Sequence, residues 1–244
     1  EEVVAVDRWK WADPDWENPK VVEWHKEPWH APLLPYPDES MALEGGAAAS
    51  PFYQCLNGIW KFHWSPTPEA APDGFQTNDA DISGWDDIEV PGCWQAQGYD
   101  KGYDVPIYTN IPMPWPAEPP YVPHEENIVG SYRRESDLPE GWQGRRIYLH
   151  FAGVDSACYV WVNGVLVGYS QGSRTPAEFD ITAQAQPGKN TVALRVFKYC
   201  DGSYCEDQDM WWLSGIYRDV YVYATPQVRI SDFFVLPRLD AQYQ

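Results

Sequence analysis

Three carboxylates fall within four residues, at Glu206, Asp207 and Asp209, and Trp211, Trp212 and a Ser214-Gly215 turn follow directly. Carboxylates accept hydrogen bonds from hydroxyl groups or ligate a hard cation, and indole faces stack on the C–H surface of a pyranose. The cluster therefore suits a sugar or a hard cation. Retaining glycoside hydrolysis needs two carboxyl groups about 5–5.5 Å apart. On an extended backbone Asp207 and Asp209 share a face with Cα atoms ~6.6 Å apart, so that pairing is geometrically open. The same run also reads as a charged loop feeding a strand, because Ile216, Tyr217, Val220, Tyr221, Val222 and Tyr223 carry the chain away in strand-like fashion.

Strands must position such a cluster, and strand signals recur from about residue 52 onward. Residues 59–64 are rich in aromatic side chains, and 88–90 form a brief run. In 146–151, Ile147, Leu149 and Phe151 alternate with Tyr148 and His150. Residues 158–170 predict a hairpin: Asn163-Gly164 between β-branched and aromatic runs supplies the two positive-φ residues of a type I′ turn. In 191–199, Val192, Leu194 and Val196 oppose Ala193, Arg195 and Phe197. No segment shows a helical stripe, so the spacing predicts an all-β sandwich. Residues 91–123 form a long aromatic loop stiffened by Pro112, Pro114, Pro116, Pro119 and Pro120, and long ordered loops tend to be functional. The first 50 residues, rich in Trp and Pro, predict an extended arm that ends flexibly at 44–50, since proline at that density opposes both a helix and a central strand. The run 228–236 reads as one more strand; a lone strand buries no face, so it is expected to begin a following domain, and the chain to be part of a longer one.

The 244 residues carry a formal charge of −19, which excludes nucleic acid and anionic membrane as expected partners. The 14 Trp and 16 Tyr fit carbohydrate contact and a large aromatic core or interface equally well. Cys55, Cys93, Cys158, Cys200 and Cys205 are odd in number and read as free buried thiols, with a Cys200–Cys205 bridge the alternative. His25, His30, His63, His124 and His150 lack zinc-ligand spacing. No apolar run is long enough to span a bilayer, and Glu1-Glu2-Val3-Val4 has no signal-peptide core. The expected compartment is the cytoplasm, with a periplasmic or secreted location as the alternative.

Six segments in order resemble the glycoside hydrolase family 2 β-galactosidases: Asp15-Trp16-Glu17-Asn18-Pro19, Leu56-Asn57-Gly58-Ile59-Trp60-Lys61-Phe62, Pro106-Ile107-Tyr108-Thr109-Asn110, Trp161-Val162-Asn163-Gly164, Gly168-Tyr169-Ser170-Gln171 and residues 201–220. The resemblance implies an extended N-terminal arm (1–51), a jelly-roll β-sandwich that binds sugar (52–225), and the stub of an immunoglobulin-like domain (226–244). It implies that Asp209 ligates Na+ and contacts the galactosyl group, and that Asn110 reaches the same pocket. It further implies a remote Mg2+ held by Asp15, Asn18 and the carbonyl of Val21 from the arm, with Gln171 and Asp201 from the sandwich. The implied parent is a retaining β-galactosidase, often a homo-oligomer, that removes terminal β-D-galactose from substrates such as lactose. Its catalytic glutamates lie on a (β/α)₈ barrel beyond residue 244, so this chain alone is expected to be inactive. A free-standing carbohydrate-binding module, or the same domain of a β-glucuronidase or β-mannosidase, is the alternative. Lys101-Gly102-Tyr103-Asp104 lengthens the loop before Pro106 relative to the family, and the Trp24, His25 and Trp29 region departs from it.

Overall fold

The computed structural model describes residues 14–110, 112–206 and 208–243. The first strands are β1 (Glu23–Trp24), β2 (Tyr53–Cys55), β3 (Gly58–Ser65), β4 (Asp86–Val90) and β5 (Ile107–Thr109). There follow β6 (Val129–Leu138), β7 (Arg146–Phe151), β8 (Val154–Asp155), β9 (Ala157–Val162) and β10 (Val165–Ser170). The last are β11 (Ala177–Asp180), β12 (Gly188–Phe197), β13 (Met210–Trp212), β14 (Gly215–Ile216) and β15 (Val220–Thr225). The helices are short: α1 (Glu39–Glu44), α2 (Trp94–Gln97) and α3 (Ser203–Glu206).

Seven strands make an antiparallel sheet in the order β1-β10-β9-β12-β6-β3-β4, and four make a second in the order β11-β7-β15-β2. The β9–β10 hairpin turns through Asn163 (φ 51°) and Gly164 (φ 82°), as the type I′ signal predicts. The core between the sheets takes Trp60, Phe62, Tyr132, Val160, Leu194 and Val196 from the large sheet and Leu149, Phe151, Phe179 and Val222 from the small one. This is the all-β sandwich that the alternating segments predict.

The large sheet is buried on its other face too. Tyr159, Trp161, Ala193, Phe197 and Tyr199 form a second core with Trp16 from the arm and Trp115 from the long loop. Every residue of β9 is buried in consequence. Trp16, Trp60 and Trp94 are fully buried, so much of the aromatic content fills cores rather than meeting sugar. The arm enters this second layer as an edge strand: Glu23 pairs with Ser170 and Trp24 with Tyr169. Gly168 permits that approach, since a Cβ there would fall 2.3 Å from the Phe179 ring and 2.9 Å from the Trp24 carbonyl oxygen.

Several sequence expectations are corrected. The arm is not devoid of helix: after Pro37 no proline intervenes, and Asp38 caps α1 by accepting from the Met41 amide at 3.0 Å. Residues 47–49, expected to be flexible, form a 3₁₀ turn. The run at 216–223 is broken at 217–219 into β14 and β15, which belong to different sheets. Residues 228–236 form no strand, because no described strand pairs with them, and Val228 and Phe234 stand 90% and 83% exposed. All five cysteines are free, but only Cys158 and Cys200 are buried; Cys55 and Cys205 are exposed and Cys93 is intermediate. The long loop contains α2 and β5. Trp9, Trp11 and Asp207 lie outside the described residues.

Candidate functional site

The acidic segment and the long loop meet in a two-stranded ribbon. β13 pairs with β5 in the register Met210↔Thr109, Trp211↔Tyr108, Trp212↔Ile107. The pairing ends at Met210↔Thr109, and Asn110 and Asp209 follow it directly, each in a bend at the tip. Tyr108 and Trp211 face each other across the ribbon, with rings 5.6 Å apart that are 52% and 56% exposed. The Tyr108 hydroxyl donates to Asp209 Oδ1, and that bond holds the phenol above its ordinary pKa. The opposite face packs inward: Trp212 meets Trp115 and Tyr199 edge-on, and its Nε1 donates to Thr109 Oγ1 at 2.7 Å.

Asp209, Asn110, Tyr108 and Trp211 thus form an exposed acceptor, carboxamide and aromatic surface at one ribbon tip. Such a surface can read hydroxyl donors and acceptors while stacking on an apolar ring face. It is open to solvent, all four residues being exposed; a separate cavity of about 20 Å³ along β13, bordered by Asp155, Arg174 and Trp212, is lined by none of Tyr108, Asn110 and Asp209. Of the cluster's other carboxylates, the one among the described residues is not brought to this tip. Glu206 turns away on α3 and accepts from the Ser173 amide and hydroxyl at 2.7 and 2.5 Å. Burial pushes Asp155 up to about 7 although Arg174 Nη1 stands 3.0 Å away.

The candidate magnesium residues cluster where the arm docks. Asp15, Gln171 and Asp201 are all buried. Gln171 Nε2 lies 2.6 Å from Asp201 Oδ1 and 3.5 Å from the Asp15 carbonyl, and the Asp201 amide donates to Trp16 O at 2.8 Å. Asp15 Oδ2 accepts from Trp24 Nε1 and the Tyr159 hydroxyl. Asn18 closes the adjacent turn instead, taking the Lys20 amide on Oδ1 and the Val21 amide on its carbonyl.

Burial pushes the Asp201 carboxyl above its ordinary value, and the nearby Glu17 adds to that push. Glu17, which the sequence did not single out, is matched by His124 at 2.9 Å. Among the described residues no group of three or more His, Cys, Asp or Glu is arranged to hold a metal. An ion here would draw on a carboxamide and backbone oxygen as well as carboxylate. That all-oxygen set, gathered around an acidic buried junction, fits a hard cation that keeps part of its water.

The sequence also missed the residues at the base of the ribbon. Gln95, Asp104 and Lys198 come from three separate segments, and nothing in their local spacing announces the contact.

Comparison with known proteins agrees with this architecture. The description "Glycosyl hydrolases family 2, sugar binding domain" matches residues 53–226. The chain is 44% identical over 236 residues to a β-galactosidase of Priestia megaterium, covering 95% of this chain and 22% of that protein. It is 47% identical over 231 residues to a β-galactosidase of Vibrio cholerae, covering 94% of this chain and 22% of that one. The chain therefore spans about a fifth of these relatives. Among solved structures, Bacteroides uniformis β-glucuronidase 2, covalently bound to cyclophellitol-6-carboxylate aziridine, superposes with a TM-score of 0.54 at 26% identity, over 71% of this chain and 18% of that one. An uncultured Clostridium sp. β-glucuronidase, at 20% identity and a TM-score of 0.52 over 80% of this chain and 31% of that one, shares the fold. The chain belongs to glycosyl hydrolases family 2, and residues 53–226 are its sugar binding domain.

Proposed function

We propose that this chain supplies part of the galactosyl subsite of a retaining β-galactosidase, with Asn110 and Asp209 as the substrate contacts and Asp209 as a Na+ ligand. The observation that carries this reading is the β5–β13 pairing, which ends at Met210↔Thr109 next to Asp209 and Asn110, together with the Tyr108 hydroxyl that donates to Asp209. Asp15, Asn18, the Val21 carbonyl, Gln171 and Asp201 would hold Mg2+, which when bound would neutralise the acidic junction and tether the arm. The tip, exposed at Tyr108, Asn110, Asp209 and Trp211, fits a half-site that other parts of a longer polypeptide complete better than a self-contained binding module. The catalytic carboxyls are assigned to a following barrel, so the 244-residue chain alone is inactive. The assembled enzyme is a homo-oligomer in this reading.

A galactoside is favoured over a β-glucuronide on charge. A uronate brings a carboxylate, and the tip already presents that of Asp209. The neighbouring cation, Arg174, is engaged with Asp155 through Nη1 and with the Met210 sulfur through Nη2. The test is to compare a chromogenic β-galactoside and β-glucuronide with the full-length enzyme. The galactoside is expected to win in kcat/KM by about a hundredfold or more, the scale that an unmatched charge imposes on specificity. Equal rates, or a preference for the glucuronide, would overturn the assignment.

A further inference from the structure

The ribbon that carries Asn110 and Asp209 has a second end, where the chain enters β5 through Asp104, Val105 and Pro106 and leaves β13 through Leu213 and Ser214. Both sides of that end are held by one side chain. Gln95, on α2 and fully buried, donates from Nε2 to Asp104 Oδ2 at 2.9 Å and to Ser214 Oγ at 3.3 Å. Its Oε1 accepts the Ser214 amide at 2.8 Å. Asp104 is in turn paired with Lys198, whose Nζ lies 2.9 Å from Oδ1 and 2.7 Å from Oδ2, with the two side chains only 5% and 7% exposed. Lys198 directly follows β12, the strand between β9 and β6 in the large sheet, and its amide donates to Ile128 O at 2.9 Å.

Asp104 closes the second of two Gly-Tyr-Asp triplets, at 98–100 and 102–104. Only the second is seated: Tyr103 is buried against Phe62, whereas Tyr99 is 63% exposed. The lengthened loop therefore ends in a fixed carboxylate. A ribbon of two three-residue strands holds little shape by itself, and a functional group placed at its tip needs supporting side chains to keep its geometry.

We infer that Gln95, Asp104 and Lys198 are positioning residues for the galactosyl subsite, a buried clamp that fixes the base of the β5–β13 ribbon and thereby the separation of Asn110 and Asp209. The inference rests on the proposed galactosyl reading of the tip. None of the three touches the sugar; each acts through the ribbon.

The test uses the full-length enzyme with Gln95→Ala, Asp104→Asn, Lys198→Met and Lys198→Arg, and Asp209→Ala alongside. Hydrolysis of a β-galactoside is combined with amide hydrogen exchange. For the first three variants kcat/KM should fall by about tenfold or more, the scale of a mispositioned contact. Exchange should quicken at 107–110 and 209–212 while β9 and β12 keep their protection. Lys198→Arg, which keeps the charge, should recover most of the rate.

Gln95→Ala and Asp104→Asn with kcat/KM within twofold of wild type, beside an impaired Asp209→Ala, would overturn the clamp and leave the galactosyl reading standing. An unimpaired Asp209→Ala would overturn the galactosyl reading itself, and with it the clamp's role in catalysis. Faster exchange throughout the sandwich in Asp104→Asn, the mildest change, would also count against the clamp, since it would show a general fold contact.

Discussion

At the scale of single residues, Tyr108 gives a clean separation of contact from charge. Its hydroxyl donates to Asp209, and Tyr108→Phe deletes that bond while leaving the ring tilted against Trp211. The expected result is a kcat/KM for β-galactosides about three- to tenfold lower, in line with one exposed hydrogen bond. An unchanged value would mean that Asp209 is oriented by other groups. Asn110 and Asp209 are named through the family resemblance of the segments that carry them; by its residues alone Asn110 reads as a turn residue. Tyr108 was within reach of the same resemblance, since it stands in the same segment as Asn110. The clamp was not legible, because Lys198 and Asp104 lie 94 positions apart and Gln95 and Ser214 lie 119 apart. Only the folded register brings them together.

At the scale of elements, the arm is the part whose attachment is most specific. Asp15→Ala with Asn18→Ala removes the carboxylate that accepts from Trp24 and Tyr159 and the side-chain oxygen that closes the adjacent turn, and should leave the sandwich folded while speeding proteolysis between residues 14 and 51. Chelation of divalent cations should do the same. If neither changes the cleavage rate, no cation holds the arm.

A second attachment lies further along, where His30 Nε2 meets Glu178 Oε1 at 3.0 Å and His30 Nδ1 meets Ala31 O at 2.8 Å. Both ring nitrogens face acceptors, so the imidazolium satisfies both. Burial alone would lower His30, but its bonds to Glu178 and Ala31 outweigh it and raise the pKa above the ordinary 6.5. Burial alone would raise Glu178, and the bonds from His150, His30 and Tyr223 outweigh it and hold the carboxyl below the ordinary 4.5. The His30 contribution is present below 6.5 and is lost as pH rises through its raised value. The Glu178 contribution is present above 4.5 and is lost as pH falls through its lowered value. Arm cleavage should therefore be slowest between about pH 4.5 and 6.5 and quicken above that window, and His30→Gln should flatten the rise on its alkaline side. A cleavage rate independent of pH from 5 to 8 would contradict this attachment.

At the scale of the whole molecule, the all-β class was readable from period-2 segments, and 12% helix against 34% strand agrees with it. The two-sided burial of the large sheet was not readable. In β12, Arg195 lies on the face opposite Val192, Leu194 and Val196, yet it is buried and donates to the Pro72 carbonyl. A polar residue in a strand pattern reports burial poorly when distant carbonyls can satisfy it. The run at 228–236 is strand-like in composition, but a strand exists only when another pairs with it, and no described strand does.

The central claim is that the β5–β13 tip is a galactosyl subsite, and Asp209→Ala in the full-length enzyme tests it most directly. Loss of a hydrogen bond to a charged group costs about 1.5–3 kcal/mol. With kcat/KM measured across a sodium titration, the account predicts a fall of about one to two decades, with kcat lowered too and the sodium response lost. Near wild-type kcat/KM with an intact sodium response would contradict it.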